Sequence, residues 1–190
     1  MNQALGFDIG GSSIKTAPVD LDSGRLLTPA ERLPLPEPPT PGTVIRTVNS
    51  HLEKLNWKQP FGVGYPGVVI RGRTITACHM GTGWIGHDFL EDLTRLSKHP
   101  VALLNDADAA GLAEMRFGAG KDMNGPESGT VLLLTLGTGI GSALFRGGIL
   151  VPNTEFGHIE LNGADAEDTA AASIRTKLNL GWSDWGKRVN

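Results

Sequence analysis

Leu5-Gly6-Phe7-Asp8-Ile9-Gly10-Gly11-Ser12-Ser13-Ile14-Lys15 decides how this chain is read, because an apolar strand, an acid, paired glycines and a second apolar run follow one another without interruption. Ala4 to Asp8 and Ile14 to Leu21 have the pattern of strands, so Gly10 and Gly11 fall at the bend of a hairpin. A phosphate can approach the backbone N–H groups of such a turn, since no side chain intervenes. Asp8 beside them is a candidate for holding Mg²⁺, directly or through water; an ordinary hairpin with an acid nearby is the plain alternative. Lys15 is placed to reach an anion, although an exposed strand lysine is the commoner occurrence.

A second turn, Leu132-Leu133-Leu134-Thr135-Leu136-Gly137-Thr138-Gly139-Ile140-Gly141-Ser142, repeats the logic of strand, glycine-hydroxyl loop and apolar stretch. It is not the dinucleotide fingerprint G-x-G-x-x-G: Ser142 holds the third glycine position, and Ala143-Leu144-Phe145 reads as strand where a helix would bind pyrophosphate. A Walker A loop fails too, since around Gly120-Lys121 the first glycine position is Met115 and the hydroxyl position is Asp122. Two phosphate cradles with no helix after either point toward a kinase.

The 190 residues suffice for a real core in one domain or two small lobes. Against 17 basic residues stand 20 acidic ones, a net charge of −3, so no global field favours nucleic acid or an anionic membrane. Any anion must be held locally. The single cysteine, Cys78, excludes an intrachain disulfide and a multi-cysteine zinc cluster, which fits a reducing cytoplasm. No charged apolar leader precedes Leu5, so no secretory signal is expected. The longest apolar window, Val131 to Phe145, falls short of the ~20 residues of a bilayer-spanning helix and reads as two buried strands joined by a loop.

Between the two turns, Leu26-Leu27 is the expected third strand, and the prolines between Pro34 and Gly42 predict an extended connector. A helix is predicted over Thr43 to Leu55, with Val44, Val48, Leu52 and Leu55 on one face. Phe61 to Tyr65 reads as a strand ending at Pro66-Gly67, and Val68 to Ile70 with Thr74 to Ala77 as a hairpin. Asp88 is placed to cap a helix through Leu96. Val101 to Leu104 is a buried strand, followed by a helix over Ala107 to Phe117. Helical stretches close the chain at Asp168 to Leu178 and Trp182 to Val189.

Asn105-Asp106 stands at a strand's carboxyl end, where open α/β sheets place reactive groups. Asp106 suits a general base for phosphoryl transfer to an alcohol, and equally suits a helix N-cap. Glu155-Phe156-Gly157-His158 sets an acceptor and a ring donor on one tight turn, a pairing fitted to vicinal sugar hydroxyls; a satisfied turn histidine is the plain alternative. Glu160 and Glu167 raise metal ligation, but no second histidine at helical spacing and no nearby cysteine accompany them. Cys78-His79 lacks partners for metal or thiol chemistry and is given no role.

In order, Asp8-Ile9-Gly10-Gly11, Tyr65-Pro66-Gly67, Asn105-Asp106, Leu136-Gly137-Thr138-Gly139-Ile140-Gly141 and Glu155-Phe156-Gly157-His158 resemble the sugar kinases of the ROK family over nearly the whole chain. Glu155 to Leu161 followed by Ala166-Glu167-Asp168 is most similar to its polyphosphate glucokinase branch. The resemblance implies an α/β, actin-like ATPase (ribonuclease H-like) fold of two lobes: residues 1–106 as the small N-terminal lobe and 107–190 as part of the larger C-terminal one. It implies a phosphoryl group passed from inorganic polyphosphate or ATP, with Mg²⁺, to the 6-hydroxyl of glucose or a related hexose, giving glucose 6-phosphate. Asp106 would be the base; Asn105, Glu155, His158 and Glu167 would hold the sugar; Asp8, Gly10, Gly11, Ser12, Lys15, Gly137, Thr138 and Gly139 would serve the donor.

A cytoplasmic homodimer without zinc, nucleic acid or membrane is expected. The family's multi-cysteine zinc motif is missing, as in the polyphosphate branch. The stretch Thr76 to Trp84 departs from the family's asparagine-containing loop. Related kinases continue beyond the position of Asn190, so the second lobe is expected to be incomplete, with Trp182 and Trp185 short of packing partners. Weak or absent activity follows unless an oligomer supplies the missing face. The competing class is a sugar-binding sensor, or a truncated kinase without turnover.

Overall fold

The computed structural model describes residues 2–77 and 80–190, so Cys78 and His79 lie outside the described residues. The chain divides into two compact units, Met1–Ala109 and Ala110–Asn190. No described helix is long and apolar enough to cross a membrane.

In the first unit, β1 (Gln3–Ile9) and β2 (Ser13–Asp20) form the expected hairpin, closing at Ile9↔Ile14. Leu5, Phe7 and Ile9 are buried on one face of β1, which turns Asp8 to the other. The third strand differs from expectation: Leu26 makes only an isolated bridge to Val19, and both Leu26 and Leu27 are exposed. It forms instead as β3 (Glu31–Pro34), whose Leu33 lies opposite Ile14 and packs on the core. Burial selects the later leucine.

α1 (Pro41–Lys54) starts at Pro41 rather than Thr43, because the proline takes the first helical position, where its missing N–H costs nothing. Thr40 Oγ1 accepts the Thr43 N–H at 3.4 Å as its cap. Val44, Ile45, Val48 and Leu52 bury the inner face, while Leu55 is past the helix end and exposed.

β4 (Phe61–Tyr65) has the predicted bounds, and the hairpin of β5 (Val69–Ile70) and β6 (Arg73–Thr74) is shorter than predicted. α2 (Phe89–Ser97) begins after Asp88, but that side chain does not cap it: Arg73 Nε and Nη2 hold its carboxylate at 2.6 and 2.8 Å. β7 (Val101–Asn105) leads directly into α3 (Asp106–Phe117).

The strands of this unit are ordered β3-β2-β1-β4-β7, with β2 antiparallel to its neighbours and β1, β4 and β7 parallel. Tyr65, Trp84 and Phe89 form an aromatic cluster with centroids 4.9 to 6.0 Å apart, and Trp84 Nε1 donates to Pro39 O at 2.6 Å. The divergent Thr76 to Trp84 stretch thus ends on a fully buried anchor.

The second unit carries β8 (Thr130–Leu136), β9 (Ile140–Arg146) and β10 (Ile149–Val151) as an antiparallel sheet in the order β10-β9-β8. Val131, Leu133, Ala143, Phe145 and Leu150 pack with Met115 of α3. A Cβ on Gly111 would lie 2.5 Å from Ala143 Cβ, so only glycine lets the helix come this close. The opposite face is buried at Ser142 but not along β8. Leu132 and Leu134 on the other face are 48 and 46 % exposed, which corrects the expectation of two buried strands.

β11 (Glu160–Leu161) and β12 (Ala164–Asp165) form a small ribbon, followed by α4 (Ala166–Ala170), α5 (Ala172–Lys177) and α6 (Trp182–Val189). A single helix over Asp168 to Leu178 does not form, because Ala171 is extended at φ −60°, ψ 155°. Ser173 N donates to Gly137 O at 3.1 Å instead of to a carbonyl one helical turn back. Trp185 Nε1 donates to Ala170 O at 2.9 Å, and Arg175 lies 3.8 Å from the ring centroid of Trp182, which remains 69 % exposed.

Candidate active site

In the first unit the parallel register places Asp8 beside Gly64, and Gly64 beside Leu104, so Asp8 and Asp106 both emerge at the carboxyl ends of strands. Gly64 lies between them. A Cβ there would sit 3.4 Å from Asp106 Cα, leaving ordinary contact and no spare room. The Asp106 carboxyl is held above its usual range, first by burial and then by the like charges of Asp8 and Asp108, although the Ala107 N–H donates to its Oδ1 at 2.8 Å and opposes the rise.

Asn105, rather than Asp106, caps α3: its Oδ1 accepts the Asp108 N–H at 2.9 Å, while its Nδ2 donates to Gly67 O at 3.2 Å. The Asp106 carboxylate is thereby not needed as the cap.

At the glycine turn, Gly10 N donates to Ser13 O at 3.0 Å and leaves Gly11 and Ser12 exposed at the tip. Lys15 Nζ donates to Asp8 Oδ2 at 2.9 Å, both side chains being about half exposed. Among the described residues no group of three or more His, Cys, Asp or Glu side chains forms a metal site. A cation held here would rest on one carboxylate plus water and phosphate oxygens, a set that suits Mg²⁺.

The second unit gathers a separate set. Ser142 Oγ donates to Thr154 O at 2.6 Å and accepts the Phe156 N–H at 3.0 Å, fixing the Glu155-to-His158 turn against β9. A Cβ on Gly157 would lie 2.2 Å from Ile140 O, so the turn needs glycine to reach that carbonyl. His158 Nδ1 lies 2.9 Å from Asp165 Oδ2 and 3.9 Å from Glu167 Oε1. The Asp165 hydrogen bond is the main cause of a raised His158 pKa, which favours the imidazolium. Glu167 Oε2 accepts the Ile140 N–H at 3.1 Å, bringing that carboxylate to the end of the Gly137-to-Gly139 loop. The loop closes on itself through Gly137 N donating to Gly139 O at 3.0 Å.

The residues read from sequence therefore fall into two sets: Asp8, Gly10, Gly11, Ser12, Lys15, Asn105 and Asp106 in the first unit, and Gly137, Thr138, Gly139, Glu155, His158 and Glu167 in the second. Sequence reasoning missed Asp165 and Ser173. Ser173 N and Oγ donate to Gly137 O and Thr138 O at 3.1 and 2.6 Å. No local pattern flags a serine whose partners lie 35 residues away.

A model of the ROK family matches residues 4–173. The chain is 46 % identical over 189 residues to the polyphosphate glucokinase of Mycobacterium leprae, an alignment spanning 99 % of this chain and 57 % of that protein. It is 47 % identical over 186 residues to the polyphosphate glucokinase of Mycobacterium tuberculosis, spanning 97 % of this chain and 69 % of the relative. Among solved structures it superposes on the inorganic polyphosphate/ATP-glucomannokinase of Arthrobacter sp. strain KM with a TM-score of 0.88 and 41 % identity, covering 100 % of this chain and 76 % of that one.

A ROK family glucokinase from Streptomyces griseus, in complex with glucose and AMPPNP, superposes with a TM-score of 0.77 at 25 % identity, covering 92 % of this chain and 59 % of that one. The fold is therefore the α/β fold of the actin-like ATPases. With the family match running through both compact units and the sheet order, glycine turns and paired carboxyl strand ends already in place, the chain belongs to the ROK family.

Proposed function

We propose that this protein transfers a phosphoryl group from inorganic polyphosphate or ATP to the 6-hydroxyl of glucose, giving glucose 6-phosphate. Asp106 carries the reading: a partly buried carboxylate at the end of a parallel strand, with its pKa raised and its capping duty taken over by Asn105. A base of this kind accepts a proton more readily than an exposed aspartate. The likeness to polyphosphate glucokinases and to a polyphosphate/ATP-glucomannokinase supports the choice of donor and acceptor.

In the proposed step the C6 oxygen forms its bond to phosphorus as the bond from that phosphorus to the bridging oxygen breaks. The hydroxyl proton passes to Asp106, and the shortened polyphosphate or ADP leaves with the bonding electrons. Asn105, Glu155, His158 and Glu167 hold the sugar hydroxyls, and Asp165 orients the His158 ring. Gly10, Gly11, Ser12, Lys15, Gly137, Thr138 and Gly139 receive the donor. Asp8 would hold Mg²⁺, which when bound would supply charge neutralisation on the phosphates. The proposal extends to two lobes, with the first ending near Asp106, and to a cytoplasmic homodimer, which the exposed Leu132, Leu134 and Ile149 support.

The test is glucose 6-phosphate formation with Mg²⁺ and either donor. Product is expected with the wild-type chain as the proposed homodimer, and Asp106→Asn is expected to lower kcat by roughly 10²- to 10⁴-fold. Glucose binding without product under both donors, or an Asp106→Asn variant of wild-type rate, would overturn the proposal.

A further inference from the structure

In the Gly137-Thr138-Gly139 loop a Cβ on Gly137 would meet nothing within 4 Å, whereas one on Gly139 would lie 2.3 Å from Glu167 Oε2. The loop's shape is set through the backbone. Ser173 N donates to Gly137 O at 3.1 Å and Ser173 Oγ to Thr138 O at 2.6 Å, so two successive carbonyls are pinned by one residue. Because each peptide unit is planar and trans, fixing the direction of a C=O fixes the next N–H in the opposite direction. Pinning Gly137 O and Thr138 O thereby aims the Thr138 and Gly139 N–H groups away from Ser173. Among the described residues neither N–H has an intramolecular partner. Two adjacent, outward, unpartnered N–H groups are what an anionic oxygen binds.

The arrangement is maintained against local preference. Ala170-Ala171-Ala172 is a run of the strongest helix former, yet Ala171 is extended and the helix breaks there. The break is what lets the Ser173 N–H leave the helical ladder for the loop. Its freed neighbours are satisfied elsewhere: Ala170 O accepts from Trp185 Nε1, and Thr169 O accepts from Arg188 Nη1 at 3.4 Å.

We infer that Ser173 is a positioning residue for the phosphoryl donor, holding the Thr138 and Gly139 N–H groups in the direction that receives a donor phosphate. This rests on the proposed kinase reading. Loss of the hydroxyl frees the Thr138–Gly139 peptide to rotate, which weakens the donor and leaves the sugar untouched. Ser173→Ala is expected to raise the donor KM roughly two- to tenfold, the value of one ordinary hydrogen bond, with the glucose KM within about twofold of wild type. Ser173→Thr restores the hydroxyl and is expected to restore the donor KM.

Equilibrium binding of AMPPNP and of polyphosphate, followed calorimetrically without sugar, separates this inference from the kinase reading. Donor binding weakened in Ser173→Ala and recovered in Ser173→Thr supports the positioning role even where turnover is absent. An unchanged donor affinity, a lowered melting temperature with both KM values altered alike, or a threonine variant as weak as the alanine one would overturn it.

Discussion

Asp106 and His158 are both shifted upward, but by opposite physics. Burial and the Asp8 charge make ionised Asp106 unfavourable, whereas the Asp165 hydrogen bond makes charged His158 favourable. For Asp106 a folded pKa above the unfolded one means that ionisation costs stability above the raised value, and the cost disappears as pH falls below the ordinary carboxylate range. Asp106→Asn should therefore melt at or above the wild-type temperature at pH 7 while losing turnover; a fall of several degrees would show the carboxylate to be a stabilising group. For His158 the stabilisation is complete below the ordinary histidine pKa and is lost as pH rises through the raised folded value. Asp165→Asn removes the main cause. The His158 ring titration, followed by NMR, is then expected to move to lower pH, and a titration unmoved by the substitution would exclude the contact.

At the scale of elements, the Glu155-to-His158 turn depends on one close approach. Gly157 brings its Cα to the Ile140 carbonyl so tightly that an alanine Cβ would sit 2.2 Å from the oxygen, and that atom belongs to backbone that cannot swing aside. Gly157→Ala is expected to cost about 1–3 kcal/mol and to lower the melting temperature by several degrees, with loss of glucose binding; calorimetry on the free chain checks it. Wild-type melting and affinity would mean that the turn can detach from β9 at no cost.

The elements legible in sequence were those whose period and punctuation agree: β4 ends at Pro66-Gly67, and α6 matches its predicted bounds. Elements decided by distant partners were not. Leu33 is favoured over Leu26 by lying opposite Ile14, and the break at Ala171 goes together with Ser173 bonding to a loop far back in the chain. The candidate site divides the same way. Asp8, Asp106 and the glycine loops announce themselves through local chemistry, while Asp165 and Ser173 act through contacts that no short window contains.

At the scale of the whole molecule, the family-bearing motifs are spread over both compact units, which is why their order along the chain carried more than any one of them. The sheet of the second unit raises a different question. Val131, Leu133 and Phe145 bury one face, but on the other, where Ser142 is covered, Leu132, Leu134, Ile149 and Val151 are 48, 46, 75 and 41 % exposed, and among the described residues β8 stands at the edge of the sheet. Clustered apolar exposure on an edge-bearing sheet favours association between copies of the chain. The double substitution Leu134→Lys and Ile149→Lys places charge on that face without touching the packed side. It is expected to shift stability by no more than about 0.5 kcal/mol each and to abolish concentration-dependent association in sedimentation experiments. Association that persists in the lysine variant would place the contact elsewhere, and a large loss of stability would show that this face is covered within the folded chain.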